Sequence, residues 1–335
     1  MNVMAIRTTV VGSYPVPHWL LGDGSRVSLR DAIMVVLKTQ ELAGIDVIAD
    51  GELNRFDPSH PETNGMIDYF VSRMDGIATR LSISDLDKFR TDPGLAYRSE
   101  PAGVVNREIG EGTLNLPRDY EFTRALTSHP LKFTCTGPHM LAKVLTNQHY
   151  SGHGHLAMAI AGVLRRQLER INADVIQLDE ANISGHPEDR DWAIPAINHV
   201  LEGIRGERAV HVCFGNYAGQ SVQKGFWWDL MPFFNQLAAH HLVLEFARRG
   251  YDELQAFRDL DPRIGLGLGV IDIKDNAIET PDLIAHRIEH AAKLLGPDRV
   301  RYVHPDCGFW MLQRTVADAK MRALVAGKKL YEGRN

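Results

Sequence analysis

Eight short apolar runs, rich in β-branched residues, alternate with stretches of helical periodicity along most of the chain. The runs are residues 6–11, 45–49, 132–135, 174–178, 209–213, 242–246, 264–271 and 300–304. The helical stretches are residues 29–43, 155–172, 192–204, 227–239, 251–258, 281–295 and 316–326. This alternation predicts βαβ units and a parallel sheet covered on both faces. We therefore predict an α/β fold, a (β/α)8 TIM barrel, with a doubly wound open sheet as the alternative.

The connection after the second run is the irregular part of this pattern. About 80 residues pass before the next run begins, far more than an ordinary connection needs. Within it, residues 63–74 and 120–128 look helical, and residues 103–107 and 112–114 look strand-like. We predict a lid-like insertion after the second strand, residues 53–130, over the barrel mouth. It would belong to a single catalytic domain that spans residues 1–335.

Composition argues against several classes of function. The net charge of −5 and the lack of a dense Lys/Arg block argue against a nucleic-acid partner. No apolar run approaches the roughly 18–20 residues needed to cross a membrane, and the N-terminus lacks the apolar centre of a signal peptide. Three cysteines are a poor disulfide framework and fit a reducing cytoplasm, where we expect the protein to be located. The sequence leaves the oligomeric state open.

Polar residues follow the apolar runs, at the strand ends where a barrel carries its chemistry. They are Gly12-Ser13, Asp50-Gly51-Glu52, Thr136-Gly137-Pro138-His139, Asp179-Glu180, His211 with Cys213, Glu245, Asp272 with Lys274, and Asp306-Cys307. One acidic residue at a strand end is often a helix N-cap, but the same placement on eight runs favours an active site.

The residues His211, Cys213, Glu245 and Cys307 favour a metal site. Two positions apart on a strand, His211 and Cys213 point to the same face. Two thiolates, an imidazole and a carboxylate suit zinc, which proteins usually bind tetrahedrally through N, S and O atoms. The alternative for each cysteine is a small buried apolar residue.

Eight motifs resemble those of one known family. VVGSYPVP, DGELNRFD, TGPHM, IQLDEAN, HVCFGNY, LEFARR, GLGVIDIKD and HPDCGFW occur in the order and spacing of the catalytic C-terminal domain of cobalamin-independent methionine synthase. The resemblance runs from about residue 8 to residue 326. It implies a (β/α)8 barrel and zinc bound by His211, Cys213, Glu245 and Cys307. We hypothesise that Glu245 leaves the metal when the substrate sulfur arrives.

The resemblance also implies where the amino-acid part of homocysteine binds. Ser13 and the backbone around Gly12 would hold its carboxylate, and Glu52 and Asp179 its ammonium group. Acidic side chains form charge-assisted hydrogen bonds with an ammonium group, which favours homocysteine over a thiol without an amine. For Asp179 the alternative is a structural hydrogen bond at the barrel mouth. Asn216, just past the H-x-C motif, is expected to line the pocket.

Two departures from the family pattern concern the methyl donor. The tryptophan of the folate site is Val144 here, and the family's D-I-H-S reads Asp272-Ile273-Lys274-Asp275. We expect Lys274 with Asp272 to be the catalytic residues on the donor side, although lysine is a poorer acid than histidinium at neutral pH. The expected donor is therefore a methylated corrinoid, a corrinoid protein, a methylated small molecule or another electrophile, and not methylfolate.

The favoured function is zinc-dependent methyl transfer to a thiol, with homocysteine as acceptor and methionine as product. One alternative is another zinc-dependent thiol alkyl transfer, such as epoxide opening by a thiol or demethylation of a thioether or ether. The other is a thiol-binding subunit that is active only with a partner protein. The barrel fold alone does not separate them, because it hosts many chemistries.

Overall fold

A curled parallel sheet forms the centre of the protein. The computed structural model describes residues 5–61, 63–90, 100–215 and 223–334. The described strands are β1 (Arg7–Thr8), β2 (Asp75–Ala78), β3 (Gly103–Gly110), β4 (Lys132–Thr136), β5 (Leu145–Asn147), β6 (Val175–Asp179), β7 (Glu207–Val212), β8 (His241–Leu244), β9 (Gly265–Ile271) and β10 (Val300–Pro305). The central sheet has seven strands in the order β1-β10-β9-β8-β7-β6-β4, and all its pairings are parallel.

The second predicted strand, residues 45–49, lies between the two edges of this sheet. It forms no ladder. Instead, Val47 pairs with Thr9 and Ile48 pairs with Leu131 through isolated parallel bridges. Seven of the eight predicted strands are therefore confirmed as strands. The remaining run, residues 45–49, is present as these two bridges. The α/β fold is confirmed, and the sheet is curled as in a TIM barrel.

Helices alternate with the strands of the central sheet. They are α1 (His18–Gly22), α2 (Arg26–Ala43), α3 (Asp68–Val71), α4 (Ile83–Arg90), α5 (Leu116–Arg124), α6 (Pro138–Lys143), α7 (His153–Leu168), α8 (Arg190–Glu202), α9 (Trp227–Phe234), α10 (Pro281–Leu295) and α11 (Arg314–Glu332). Six of the seven predicted helices are α-helices, whereas the stretch 251–258 is a 3-10 helix, Asp252–Asp259. Local signals fix the boundaries: Ser25 caps α2 through the N–H of Ser28, and Gly44 ends it with φ of 85°.

A second, smaller sheet in the order β2-β3-β5 lies in the irregular region. The predicted strand at residues 103–107 is confirmed within β3, but the prediction of a strand at 112–114 is wrong. Gly112 has φ of 56°, and a Cβ atom there would come within 2.2 Å of the Arg73 carbonyl oxygen. This glycine therefore makes a turn that other residues would not fit. Because β5 follows α6, the small sheet extends beyond residue 130.

The irregular region shares its hydrophobic core with the central sheet. Phe70 and Tyr120 lie in the same buried cluster as Ile176 and Leu178 of β6. β6, β8 and β9 are buried along their whole length, as expected for a sheet covered on both faces. Among the described residues, no helix combines the length and apolar character that a membrane span requires.

A cluster of polar side chains around Glu207 lies at the start of β7. The Glu207 carboxylate accepts hydrogen bonds from Arg7 at 2.5 Å and from the Tyr302 hydroxyl at 2.7 Å, and it lies 2.9 Å from His241 Nδ1. Burial opposes ionisation of Glu207, but these neighbours, His241 foremost, outweigh it and hold the pKa well below its usual range. The cluster lies at the opposite end of β7 from His211 and Cys213, the predicted metal ligands.

Candidate metal and substrate site

Three of the four predicted metal ligands come together at the strand ends. His211 is on β7, Cys213 directly follows it, and Cys307 follows β10. One ligand atom from each lies within 4.8 Å of the other two, and Cys307 Sγ is 3.7 Å from His211 Nε2. His211 and Cys213 are buried, and Cys307 is partly exposed. An imidazole and two thiols this close form a donor set for a thiophilic metal ion.

The surroundings orient His211 for such a role. Its Nδ1 lies 2.8 Å from the Val243 carbonyl oxygen, which leaves Nε2 facing the thiols. A hydrogen bond from the other ring nitrogen to a carbonyl is the usual support for a histidine ligand. Burial disfavours the imidazolium, but the Cys213 thiolate outweighs it and raises the pKa of His211 to about 9.

The two thiols differ in acidity. A hydrogen bond from Cys307 holds the pKa of Cys213 well below its ordinary value, despite burial. The same contact raises the pKa of Cys307 well above its ordinary value, and burial adds to the rise. One thiolate beside an imidazolium is thus the stable arrangement of these side chains, and a metal cation would take the place of the protons.

Glu245, the fourth predicted ligand, follows β8 but is not part of the group within 4.8 Å. Its carboxylate lies 3.2 Å from Lys274 Nζ and accepts a hydrogen bond from the Phe214 N–H at 3.3 Å. Both charged side chains are almost inaccessible, at 0% exposure for Glu245 and 2% for Lys274. Burial, followed by the charge of Cys213, raises the pKa of Glu245 to about 7. Lys274 therefore holds Glu245 at the edge of the cluster.

Asp306 supports two of these ligands at once. Its buried carboxylate accepts hydrogen bonds from the backbone N–H groups of Phe246 at 2.9 Å, Ala247 at 2.9 Å and Arg248 at 2.7 Å. These residues follow Glu245 directly, and Asp306 itself precedes Cys307. Sequence analysis placed Asp306 at a strand end but gave it no role. A glycine of β9 makes room for this carboxylate. A Cβ atom at Gly269 would lie 2.2 Å from Asp306 Oδ1, so the close approach requires glycine.

Glu52, one of the acids predicted to bind an ammonium group, lies beside Gly12 at the mouth of the sheet. Its Oε1 accepts a hydrogen bond from Thr134 at 2.7 Å and lies 3.4 Å from Arg55 Nη1. A Cβ at Gly12 would come within 2.2 Å of Glu52 Oε1, so the close approach requires glycine. Burial, followed by the charge of Glu52, raises the pKa of Asp179 to about 7. The two acids therefore face a common region.

Asp179 and Ser13 connect this region to the metal ligands. Asp179 pairs with His211 across β6 and β7. Ser13 lies against the residue after Cys307, because a Cβ at Gly308 would come within 1.9 Å of Ser13 Oγ. The predicted substrate residues Asp179 and Ser13 thus lie next to the cluster of His211 and two cysteines. Asn216 lies outside the described residues.

The sequence matches a model of one protein family. Residues 6–329 match the model described as "Cobalamin-independent synthase, Catalytic domain". The chain belongs to this family. Two similar curated proteins are the methionine synthases of Thermococcus kodakarensis and Sulfurisphaera tokodaii. Each is 29% identical, with 98% of this chain and 94% of the relative aligned in the first case, and 97% and 92% in the second.

Solved structures of similar proteins share the fold. One is a B12-independent methionine synthase from Shewanella sp. W3-18-1 in complex with selenomethionine, with a TM-score of 0.83, 22% identity and 98% of both chains covered. Another is a putative vitamin-B12-independent methionine synthase from Listeria monocytogenes, with a TM-score of 0.71, 18% identity and 98% of both chains covered.

The structure also shows the surroundings of Val144 and of Asp272 with Lys274, the residues that were expected to face the methyl donor. Val144 is fully buried at the end of α6, so its side chain packs in the core and faces no open site. Asp272 Oδ1 accepts the backbone N–H of Lys274 at 2.8 Å, and the Lys274 side chain turns to Glu245. Lys274 therefore contacts Glu245, and Asp272 contacts the backbone of Lys274.

Arg55 is a buried site residue that sequence analysis missed. Its guanidinium donates to the Thr134 hydroxyl at 2.9 Å and to the Thr134 carbonyl oxygen, and it packs over Phe70. Its place three residues after Glu52 was a usable signal, because a helical turn brings such residues together. Arg55 holds Glu52 in place and balances part of its charge.

Proposed function

We propose that this chain transfers a methyl group to the sulfur of homocysteine and so forms methionine, with a zinc ion in the site. The observation that carries the proposal is the contact between two groups of residues. A histidine and two cysteines suited to a thiophilic metal lie directly beside two acids suited to an ammonium group, with Asp179 and His211 paired across neighbouring strands. Homocysteine needs both groups at once. The family of the chain and its similarity to methionine synthases support the same reaction.

Zinc would be held by His211, Cys213 and Cys307, with Glu245 as the fourth ligand. The donor set fits this ion because zinc accepts nitrogen, sulfur and carboxylate ligands in tetrahedral sites. When bound, the ion would lower the pKa of the substrate thiol so that sulfur is nucleophilic at neutral pH. Besides the zinc ion, Glu245 has Lys274 as a cationic partner. If the substrate sulfur displaces Glu245 from the metal, the carboxylate would remain paired with Lys274.

The amino-acid part of the substrate would be oriented by the chain itself. Glu52 and Asp179 would accept hydrogen bonds from the ammonium group, and Ser13 with the backbone at Gly12 would donate to the carboxylate. Because Arg55 already neutralises part of the negative charge, the site is prepared for a cation without strong repulsion between its acids. Asn216 is proposed as a further pocket residue. Fixing the head group in this way would direct the sulfur of homocysteine toward the proposed metal ligands.

We further propose that the methyl donor is not methylfolate. The buried Val144 leaves no aromatic surface at the place where the family pattern has a tryptophan. Lys274 and Asp272 would face the donor, which we propose to be a methylated corrinoid, free or carried by a partner protein, or a methylated small molecule. Lysine beside the reacting centre supplies a positive charge rather than a readily transferred proton.

The architecture proposed around this site is a closed (β/α)8 barrel in a single domain. The parallel bridges of residues 47 and 48 to Thr9 and Leu131 support closure of the sheet by the eighth strand. Residues 53–130 are proposed to form a lid over the strand ends, because Arg55 donates to the Thr134 hydroxyl and the Met66 carbonyl oxygen accepts from the Thr136 hydroxyl at the end of β4. We propose a cytoplasmic location from the reduced cysteines that the site requires.

Metal analysis and thiol titration test this function. We expect one zinc per chain by elemental analysis, and calorimetric binding of homocysteine with release of a proton, but weaker binding of 2-mercaptoethanesulfonate. Cys213→Ser and Cys307→Ser should lose the zinc. Cys135→Ser is the matched control, because Cys135 is buried like Cys213 but lies outside the metal group. Zinc retained in both ligand variants, or a preference for the sulfonate thiol, would contradict the proposal.

A further inference from the structure

Two buried polar side chains lie inside the curled sheet, below the proposed substrate site. Lys132 begins β4 and is 2% exposed, and Gln177 lies in the middle of β6 with 0% exposure. Their sheet partners Val175 and Ala209 belong to a buried apolar cluster, which also contains Val11, Val47, Val243 and Tyr302. A lysine buried beside such residues is costly unless it is well paired.

The amide of Gln177 is held in one orientation. Its Nε2 donates to the Asp179 carboxylate at 2.7 Å and to the Val11 carbonyl oxygen at 2.9 Å. The Val11 carbonyl oxygen can only accept, so the amide nitrogen has to face this side. On the other side, Gln177 Oε1 accepts from Lys132 Nζ at 2.8 Å, and Lys132 also donates to the Val10 carbonyl oxygen at 2.7 Å.

These four hydrogen bonds reach both halves of the proposed head-group site. Asp179, the partner of Gln177, is one of the two proposed ligands of the substrate ammonium group. Val10 and Val11 each accept one of the other bonds, and they directly precede Gly12 and Ser13, the proposed carboxylate site. Lys132 and Gln177 therefore connect the two binding elements through the interior of the sheet, without touching the substrate.

We propose that Lys132 and Gln177 are positioning residues that give the enzyme its selectivity for thiols bearing an α-amino acid head group. Gln177 fixes the Asp179 carboxylate, and Lys132 fixes the amide of Gln177 and the strand that leads to Ser13. A supporting shell of this kind restricts the geometry of the residues in contact with substrate. The inference rests on the proposed function, because it assumes that Asp179 and Ser13 bind the head group.

The test compares two thiols that differ only in the head group. Homocysteine carries it, and 1-propanethiol lacks both the ammonium and the carboxylate. Calorimetry on the zinc-loaded protein gives Kd for each. We expect Gln177→Met to raise Kd for homocysteine by about 10- to 100-fold, since a hydrogen bond to a charged group is lost. Kd for 1-propanethiol should change by less than about threefold. Lys132→Met should act in the same direction.

Gln167→Met is the matched control. Gln167 is equally buried, at 1% exposure, and its amide is also hydrogen-bonded, to Leu116 and Glu111, but it lies on α7 away from the site. This variant should leave the ratio of the two Kd values unchanged. Zinc content and the near-ultraviolet circular dichroism spectrum check that each variant is folded, and Lys132→Met carries the test if Gln177→Met does not fold.

The outcomes separate the inference from the function on which it rests. If the wild type prefers homocysteine and Gln177→Met or Lys132→Met keeps the same preference, the positioning role is refuted while the proposed function stands. If a variant weakens both thiols by the same factor, the pair is merely structural, which also refutes the inference. If the wild type binds both thiols equally, the head-group site is absent and both proposals fail.

Discussion

Replacing Asp306 by alanine should damage the metal site without removing any metal ligand. The Asp306 carboxylate accepts three backbone N–H groups, at 2.9, 2.9 and 2.7 Å, from the turn that follows Glu245. Asp306 also precedes Cys307 in the chain. The substitution therefore releases the backbone on which two of the four proposed ligands sit.

The structure allows the magnitude to be worked out. Each hydrogen bond to an ionised group contributes about 1.5–3 kcal/mol, so the three together give an upper value of about 9 kcal/mol. Burial raises the pKa of Asp306 to about 6 in spite of the three donors, so a substantial desolvation cost offsets that sum. Each buried N–H group left unsatisfied costs about 1–3 kcal/mol, so after this offset we expect a loss of about 3–5 kcal/mol in the free energy of unfolding. Loss of support around a metal ligand typically weakens metal affinity about 10- to 100-fold.

Two assays on the same sample check these values. Urea unfolding of the zinc-free protein gives the loss of stability, and competition with a chromogenic chelator gives the zinc affinity of the folded protein. Asp191→Ala is the control, because the Asp191 side chain is 90% exposed and its loss should cost less than about 0.5 kcal/mol. Unchanged zinc affinity in folded Asp306→Ala would refute the reasoning, because the carboxylate would then serve the fold alone.

Three further variants probe other parts of the structure. Lys274→Met should lower the unfolding free energy of the zinc-free protein by about 3 kcal/mol, because it leaves Glu245 buried without its cation. The loss should be smaller in the zinc-loaded protein. Equal losses in urea titrations of the two forms would exclude Glu245 as a ligand. Glu207→Gln should lower stability by about 1–3 kcal/mol at pH 7. Since the folded-state pKa of Glu207 is depressed, its stabilisation is complete above its unfolded pKa of about 4.3 and is lost as the pH falls through the folded value, so the two unfolding curves should converge only in acid. Gly137→Ala would bring a Cβ atom within 2.1 Å of the Glu180 carboxylate, and a thermal unfolding midpoint equal to that of wild type would show that this buried acid moves freely.

The order of elements was predictable because it depends on local patterns. Near-continuous apolar runs marked the strands of the central sheet, and polar residues after them marked one end of it. The second run was identified as a pairing segment, but it forms only two single bridges, Val47 with Thr9 and Ile48 with Leu131, which depend on both edges of the sheet and not on the run itself. The irregular region was harder, because β2 and β5 are short and gain their stability from pairing with β3.

The predicted ligands illustrate the same division. His211, Cys213 and Cys307 are recognisable because the chemistry of each side chain and the strand-end spacing already point to a metal. The structure brings them together but turns Glu245 toward Lys274, a contact that depends on two connections meeting in space. No pattern along the chain reports such a meeting.

The supporting residues could not be found from the sequence for a physical reason. A ligand is identified by its own atoms, whereas a supporting residue is identified by the atoms that it satisfies elsewhere. Lys132 and Gln177 look misplaced within apolar strands until the carbonyl oxygens of Val10 and Val11, just after β1, are seen across the interior, 2.7 and 2.9 Å away. Asp306 likewise resembles an ordinary strand-end acid until its three N–H partners are counted. A polar residue inside a predicted buried strand is therefore a better signal of a supporting residue than its position along the chain. Burying a polar group without partners is too costly, so such a residue must have partners. Here those partners are the backbone and side chains that carry the proposed site.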